Sequence, residues 1–179
     1  MLQIMHDRET ELMLRVKEQS QEAFHELYEL YKRPLANFFF RLSWNRSLVD
    51  DLVQDVFLRL WRAAPNYEPT AKPSTYIFRI AHNLWINEAT KKKADALEDA
   101  DRAEERDPSS DLQRAETQKA VQRAIDALPE GERECLVLSE YNRLKYAEIG
   151  EILGIPVGTV KSRIFSAVQR LKEALKGLR

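Results

Sequence analysis

Cysteine is almost missing from this chain: Cys135 stands alone in 179 residues. One thiol excludes a disulfide framework and a cysteine-built zinc site, and it fits a reducing cytoplasm. Glycine is scarce as well. All five glycines, at 131, 150, 154, 158 and 177, fall after residue 130. The first 130 residues therefore hold neither a P-loop nor a dinucleotide fingerprint, both of which need glycine to bring backbone close to phosphate. No apolar run approaches the roughly 18 residues of a membrane span. The start, MLQIMHDRETELM, lacks the basic and apolar parts of a signal peptide.

Catalytic groups are equally thin. The three histidines, at 6, 25 and 82, are far apart and in no metal-ligand spacing. The acid pairs Asp50-Asp51 and Glu104-Glu105 are adjacent, so their members do not share a helix face. No Gly-x-Ser-x-Gly elbow occurs. The expectation is a protein that is not an enzyme and carries no cofactor or metal, with its lone His and Cys side chains serving as packing residues.

What is present is charge, at 32%, beside 44% hydrophobic residues. That balance suits a folded, soluble, helix-rich chain. The net charge of −1 conceals a pattern. Residues 94–111 carry eight acids and two bases, whereas the last 24 residues carry six bases and one acid, Glu173. The acidic strip, ADALEDADRAEERDPSSD, can bury little and reads as a flexible linker that reaches ~60 Å when fully stretched. It divides the chain into an N-terminal domain, 1–93, and a C-terminal domain, 112–179.

Nearly every periodic segment has helical spacing, so the fold class is all-α, with two small helical domains. Helices are expected near 9–19, from a Ser20 cap to a break at Pro34, onward from Pro34, from a Ser47 cap to about Ala63, over 75–91, and near 112–127, 130–141, 146–153 and 157–176. The three prolines of AAPNYEPTAKPS (63–74) predict a loop.

The stretch YAEIGEILGIPVGTVKSRIF (146–165) is the most informative. A short helix ends at Gly154, which can take the left-handed conformation of a sharp turn, and a second helix follows Pro156. Gly150 falls where the two helices would approach. This is the pattern of a helix-turn-helix, whose second helix enters the DNA major groove. In that second helix Val157, Val160, Ile164, Val168, Leu171 and Leu175 form one apolar stripe. Thr159, Ser162, Ser166 and Gln169 lie farthest from it, with Arg163 and Arg170 on one flank, Phe165 on the other, and Lys161 nearer the stripe. Short polar groups admit base edges, cations meet phosphate or guanine, and Phe165 is placed either at the core edge or against a thymine methyl.

Two N-terminal segments are less specific alone. In DDLVQDVFLRLW (50–61), Asp51, Asp55, Leu58 and Arg62 lie opposite a broad apolar face, with Gln54 beside them. That strip fits either a solvated helix face or a docking face for a basic partner helix. In PSTYIFRIAHNLWINEATKKK (73–93), Arg79, Asn83 and Asn87 share one face at i, i+4, i+8. Asparagine can read a base edge and the terminal lysines can neutralise phosphate; Tyr76, Phe78 and Trp85 fit a core equally well. Asn66 and Tyr67 in the proline-rich loop offer an amide and a stacking ring for an unstacked base.

Together the two blocks resemble a bacterial RNA polymerase sigma factor of the small, extracytoplasmic-function type, over about 10–93 (region 2) and 112–176 (region 4). DDLVQDVFLRLW resembles the helix that binds the clamp helices of the polymerase largest subunit, STYIFRIAHNLWINEA the promoter −10 helix, and PVGTVKSRIF the −35 recognition helix. The resemblance implies core contacts at Asp51, Gln54, Asp55 and Leu58. It implies −10 contacts at Asn66, Tyr67, Arg79, Asn83 and Asn87, and −35 contacts at Thr159, Lys161, Ser162, Arg163, Phe165 and Ser166. Ser166 stands where some members carry a base-contacting arginine. Arg79 and Ile80 replace the paired tryptophans of larger relatives, which implies weaker melting and stricter promoter dependence. The implied partners are core RNA polymerase, promoter DNA and an anti-sigma factor, in the cytoplasm. Two rival readings are a stand-alone dimeric helix-turn-helix regulator, for which no spare heptad seam is visible, and an interaction module that binds a regulator instead of DNA.

Overall fold

The computed structural model describes residues 8–98 and 112–176, which form eight α-helices and two short helical turns without a strand. Helix α1 spans Arg8–Lys17, α2 Gln21–Ser43, α3 Arg46–Ala63 and α4 Pro73–Glu98, with a 3₁₀ turn at Ala64–Asn66. Helix α5 spans Leu112–Asp126, α6 Glu130–Leu136, α7 Tyr146–Leu153 and α8 Val157–Ala174, with a π turn at Val137–Tyr141.

Several boundaries follow local chemistry. The Ser20 hydroxyl caps α2 by accepting from the Ala23 amide at 3.3 Å. The cap of α3 is Asn45, not Ser47: its side chain accepts from the Leu48 amide at 3.1 Å, which starts the helix a residue before the expected cap. Pro34 does not break the chain as expected but lies inside α2. An interior proline costs about 3 kcal/mol, and here burial of Leu27, Tyr31, Leu35, Phe38 and Phe39 on both sides of it offsets that loss. Helix α4 outruns its predicted end at Lys91. The segment KKKADALE contains no glycine or proline, and its alanines, lysines and leucine are strong helix formers. The acidic strip thus begins as the end of a helix at 94–98, and the rest of the expected linker, 99–111, lies outside the described residues.

The N-terminal lobe packs α1 to α4 around an aromatic core. Phe38 meets Phe39 at 5.2 Å and Phe78 at 5.8 Å between ring centroids, both edge to face. The C-terminal lobe packs α8 on α5, α6 and α7. The two lobes touch along α4 and α7, and along α2 and the π turn. At that seam His82 Nδ1 lies 3.2 Å from Glu134 Oε1, both side chains buried. Trp44 Nε1 donates to Asp126 Oδ1 at 2.6 Å, and Asn142 Nδ2 donates to the Pro34 carbonyl at 2.8 Å. Lys72 pairs with Glu148 at 3.1 Å, and the Arg41 guanidinium stacks on Tyr141 at 4.3 Å. Val137, Leu138, Ile149, Ile152, Val160 and Ile164 continue the N-terminal lobe's hydrophobic core without a gap.

Candidate nucleic-acid interface

The turn between α7 and α8 is built as its glycines require. Gly154 ends α7 at φ +66°, and a side chain there would meet no atom within 4 Å, so the demand is conformational. At Gly150 the demand is space: a Cβ would lie 2.9 Å from the Ile155 carbonyl oxygen. That contact is with the turn itself, closed by the Ile155 amide on the Gly150 carbonyl at 3.0 Å, with Val157 at the start of α8 just behind. The Glu148 carboxylate accepts from the Lys145 amide at 2.8 Å and caps α7.

Helix α8 buries Val160, Ile164 and Ala167. Lys161 and Ser162 face solvent, Thr159 and Ser166 are half-buried, and Phe165 is 66% exposed. Phe165 is therefore not a core residue. The Ser162 hydroxyl donates to the Thr159 carbonyl at 3.0 Å, which leaves its oxygen lone pairs outward. Arg163 departs from the expected outward face. It is half-buried over α6, close enough that a Cβ on Gly131 would lie 2.7 Å from its Nη1. It also bonds the Cys135 side chain; burial pushes that thiol up to about 11 against the opposing pull of the guanidinium. Cys135 therefore stays protonated at neutral pH and is a packing residue. Arg170 is likewise drawn to α6, with its Nε 3.1 Å from Glu132 Oε2. Of the cations expected to frame this face, Lys161 and Arg170 are exposed, Arg170 tethered to Glu132, and Arg163 is turned inward.

On α4, Arg79, Asn83 and Asn87 are exposed together, with Ile86 between them, while Phe78 and Trp85 are buried and Tyr76 half-buried. The Arg79 guanidinium also donates to the Glu151 carbonyl on α7 at 3.1 Å. Asn66 is exposed at the end of the 3₁₀ turn. Tyr67 corrects the sequence reading: at 1% exposure its ring packs against Tyr76 at 5.2 Å and offers no open face for a base. Its carbonyl accepts from Lys17 at 2.8 Å, which pins the loop to α1.

On α3, Asp51, Gln54 and Asp55 are exposed and Leu58 is 53% exposed, as the helix period predicts. Beside them lies a feature the sequence did not reveal. Gln21, Phe24, Tyr28, Gln54, Phe57, Leu58 and Trp61 line an open, mainly apolar groove of about 510 Å³. Phe24 and Trp61 meet at 5.0 Å and Tyr28 and Phe57 at 4.8 Å. Spacing of i, i+4 puts Phe24 with Tyr28 and Phe57 with Trp61 on one face of their helices, but only the packing of α2 on α3 leaves their edges open. No cluster of His, Cys, Asp and Glu fit to hold a metal occurs among the described residues, and no described helix is long and apolar enough to cross a membrane.

Residues 27–94 match the family model of Sigma-70 region 2, and residues 118–171 that of Sigma-70, region 4. Over 176 residues the chain is 32% identical to the ECF RNA polymerase sigma factor SigW of Bacillus subtilis, spanning 91% of this chain and 94% of that protein. Over 181 residues it is 30% identical to the ECF RNA polymerase sigma-E factor of Escherichia coli K12, spanning 93% and 94%. Among solved structures, CnrH in complex with the cytosolic domain of CnrY has a TM-score of 0.77 at 24% identity, covering 96% of this chain and 99% of that one. The sigma factor RpoE from Bartonella quintana, solved with the anti-sigma factor NepR, has a TM-score of 0.70 at 24% identity, covering 86% and 96%. These two share the fold. With both regions matched in chain order and near-complete overlap with SigW, the chain belongs to the ECF family of RNA polymerase sigma factors.

Proposed function

We propose that this chain binds core RNA polymerase through α3 and directs it to promoters by reading a −35 element with α8 and a −10 element with α4 and the turn at Asn66. It then helps to open the −10 segment and leaves after initiation. The observation that carries the reading is the exposed strip Asp51, Gln54, Asp55 and Leu58 beside an open aromatic groove. A regulator that acts alone has no use for a second docking face. A basic, amphipathic partner helix, such as a polymerase clamp helix, satisfies both the acids and the groove.

The DNA-reading chemistry follows from the exposed and half-buried side chains of α8 and α4. On α8 the small Thr159, Ser162 and Ser166 let the helix approach base edges, Lys161 meets phosphate and Phe165 can seat against a thymine methyl. On α4 the Asn83 and Asn87 amides suit base edges, and Arg79 suits phosphate once it lets go of α7. Elements named for positions −35 and −10 are roughly 25 base pairs, or ~85 Å of duplex, apart. Lobes packed along α4 and α7 must separate to reach both. Separation exposes the apolar residues they share, so the open form needs a partner to cover or hold it. Core polymerase in the cytoplasm supplies that hold, and an anti-sigma factor would oppose it by keeping the lobes closed.

The test is run-off transcription and gel shift, with and without core polymerase. Specific transcripts and a footprint on the upstream hexamer are expected only with core. Asp51→Ala with Asp55→Ala should weaken core binding about tenfold while promoter choice at saturating protein is kept, a loss of order 1.4 kcal/mol. Tight, specific DNA binding by the free protein as a dimer overturns the proposal in favour of the stand-alone regulator.

A further inference from the structure

The turn that carries Asn66 is tied to a distant helix by one cation. Lys17, the last residue of α1, donates from its ammonium to the Tyr67 carbonyl at 2.8 Å, across 50 positions of sequence. Lys17 forms no ion pair among the described residues, so its charge is spent on a neutral carbonyl. The base of this tether is firm. Met13 and Val16 are fully buried, and the corner after Lys17 is closed by the Gln19 amide on the Val16 carbonyl at 2.8 Å and the Ser20 amide on the Arg15 carbonyl at 3.0 Å. The carbonyl end of α1 also favours a cation at this position.

The far end is held at ring, amide and carbonyl together. The Tyr67 ring packs on Tyr76, its amide donates to the Ala64 carbonyl at 2.9 Å, and its carbonyl receives Lys17. Asn66, the residue before it, is exposed, so its side-chain amide projects from a backbone that is clamped directly behind it. The loop has a second tied cation, Lys72, but its partner Glu148 lies on α7 in the C-terminal lobe. That tie parts when the lobes separate to span both promoter elements. Lys17 and Tyr67 both belong to the N-terminal lobe, so theirs survives the separation.

We infer that Lys17 is a positioning residue for −10 recognition: its ammonium holds the Asn66 turn in the shape that receives a base, without touching DNA itself. This rests on the reading of the Asn66 turn given above. A loose turn loses backbone freedom when the base arrives, whereas a clamped one has lost it already on folding. Selectivity gains most. A mobile amide adjusts to several base edges, and a fixed one rejects those whose donors and acceptors do not match. Lysine suits the task because its long stem reaches out from α1 and its ammonium makes a charge-assisted bond.

The experiment uses holoenzyme assembled from core polymerase and wild-type chain, Lys17→Met, Lys17→Arg, Asn66→Ala, or Lys17→Met with Asn66→Ala. The probes are the −10 segment of a promoter found by the transcription assay above, as labelled single strands with each base in turn at every position. Asn66→Ala should flatten the base preference at one position by roughly fivefold to tenfold, as expected for a lost hydrogen bond. Lys17→Met should flatten the same position by about as much, and the double variant should lose no more than either alone, since both remove one act of recognition. Lys17→Arg should bring the preference back to within about threefold of wild type, because a guanidinium also donates to a carbonyl. Binding to core and to a −35 duplex should be unchanged in Lys17→Met, which shows that the variant is folded. Its slope of log affinity against log salt should also stay at the wild-type value. A slope smaller by about 0.7, with equal loss for every base, would put Lys17 on a phosphate. A preference that is flattened in Asn66→Ala but kept in Lys17→Met would make the bond a structural tie alone. Either result overturns the positioning role and leaves the reading of the turn standing. A preference kept at every position in Asn66→Ala sinks that reading, and the role of Lys17 falls with it.

Discussion

The two lobes each present a helix that the proposed reading takes to DNA, but they treat its charge differently. On α4 of the N-terminal lobe the polar row Arg79, Asn83 and Asn87 is exposed, and Arg59 and Arg62, across a groove from Asn83, form no ion pair among the described residues. On α8 of the C-terminal lobe, Arg163 and Arg170 are drawn back to α6, one by Gly131 and Cys135 and the other by Glu132. The lobes also differ in self-sufficiency. The N-terminal lobe supplies the larger, aromatic part of the core; most buried residues of the C-terminal lobe extend that same core, and among the described residues Leu128, Leu136 and Ala167 form a separate small cluster. A stable platform that presents ready charge is thus joined to a lighter reading head that leans on it.

The strongest way to break this comparison is to damage the platform. Phe38 is fully buried, with edge-to-face contacts to Phe39 and Phe78. Phe38→Ala should cost ~3–5 kcal/mol in urea unfolding. The three tryptophans, at 44, 61 and 85, all lie in the N-terminal lobe, while the buried Cys135 reports on the C-terminal one. Tryptophan fluorescence and Cys135 labelling should therefore shift together in this variant. A Cys135 transition that stays at its wild-type midpoint would mean the reading head holds itself up without the shared core.

How much of this was legible in the sequence depends on how local the cause is. The helix-turn-helix was, because Gly154 and the stripe from Val157 to Leu175 are set within one short stretch. So was the outward strip Asp51, Asp55 and Leu58, since helical period alone places it. Pro34 misled because the force that carries α2 through it is burial against other helices, which no window of sequence contains. Tyr67 misled because a tyrosine in a proline-rich loop looks available until Tyr76 is folded onto it. Arg163 lies off the apolar stripe by period, yet the missing side chain at Gly131, 32 positions away, opens the notch that receives it. The aromatic groove and the seam at His82 and Glu134 are pairings between distant segments and leave no periodic trace.

A smaller break, confined to the head, comes from the turn. At Gly154 any L side chain is forced into the left-handed region although the space is free, so Gly154→Ala should cost about 1–2 kcal/mol. The comparison predicts that this loss stays local: Cys135 should become labelled at lower urea, while the tryptophan transition moves by much less. Binding to the −35 duplex should weaken with the turn, and core binding through α3 should be kept. Equal shifts of both probes would show that the seam ties the lobes into one cooperative unit, so that the head's weakness is shared rather than private.

The smallest expected effect sharpens the contrast in charge. The three atoms nearest a Cβ at position 131 all belong to the guanidinium of Arg163, the far end of a flexible side chain. Gly131→Ala should therefore leave the fold within about 1 kcal/mol of wild type, since alanine is also the better helix former. Its consequence is electrostatic: Arg163 loses its notch and swings toward the face where Lys161 already points. One added cation on duplex DNA steepens the salt dependence of −35 binding by about 0.9. Should the slope stay at the wild-type value in holoenzyme, Arg163 must already leave α6 when DNA arrives, and the inward pose belongs to the unbound chain alone. A steeper slope means that the wild-type head reads DNA with Arg163 still tucked in, and that its restrained charge persists in the complex.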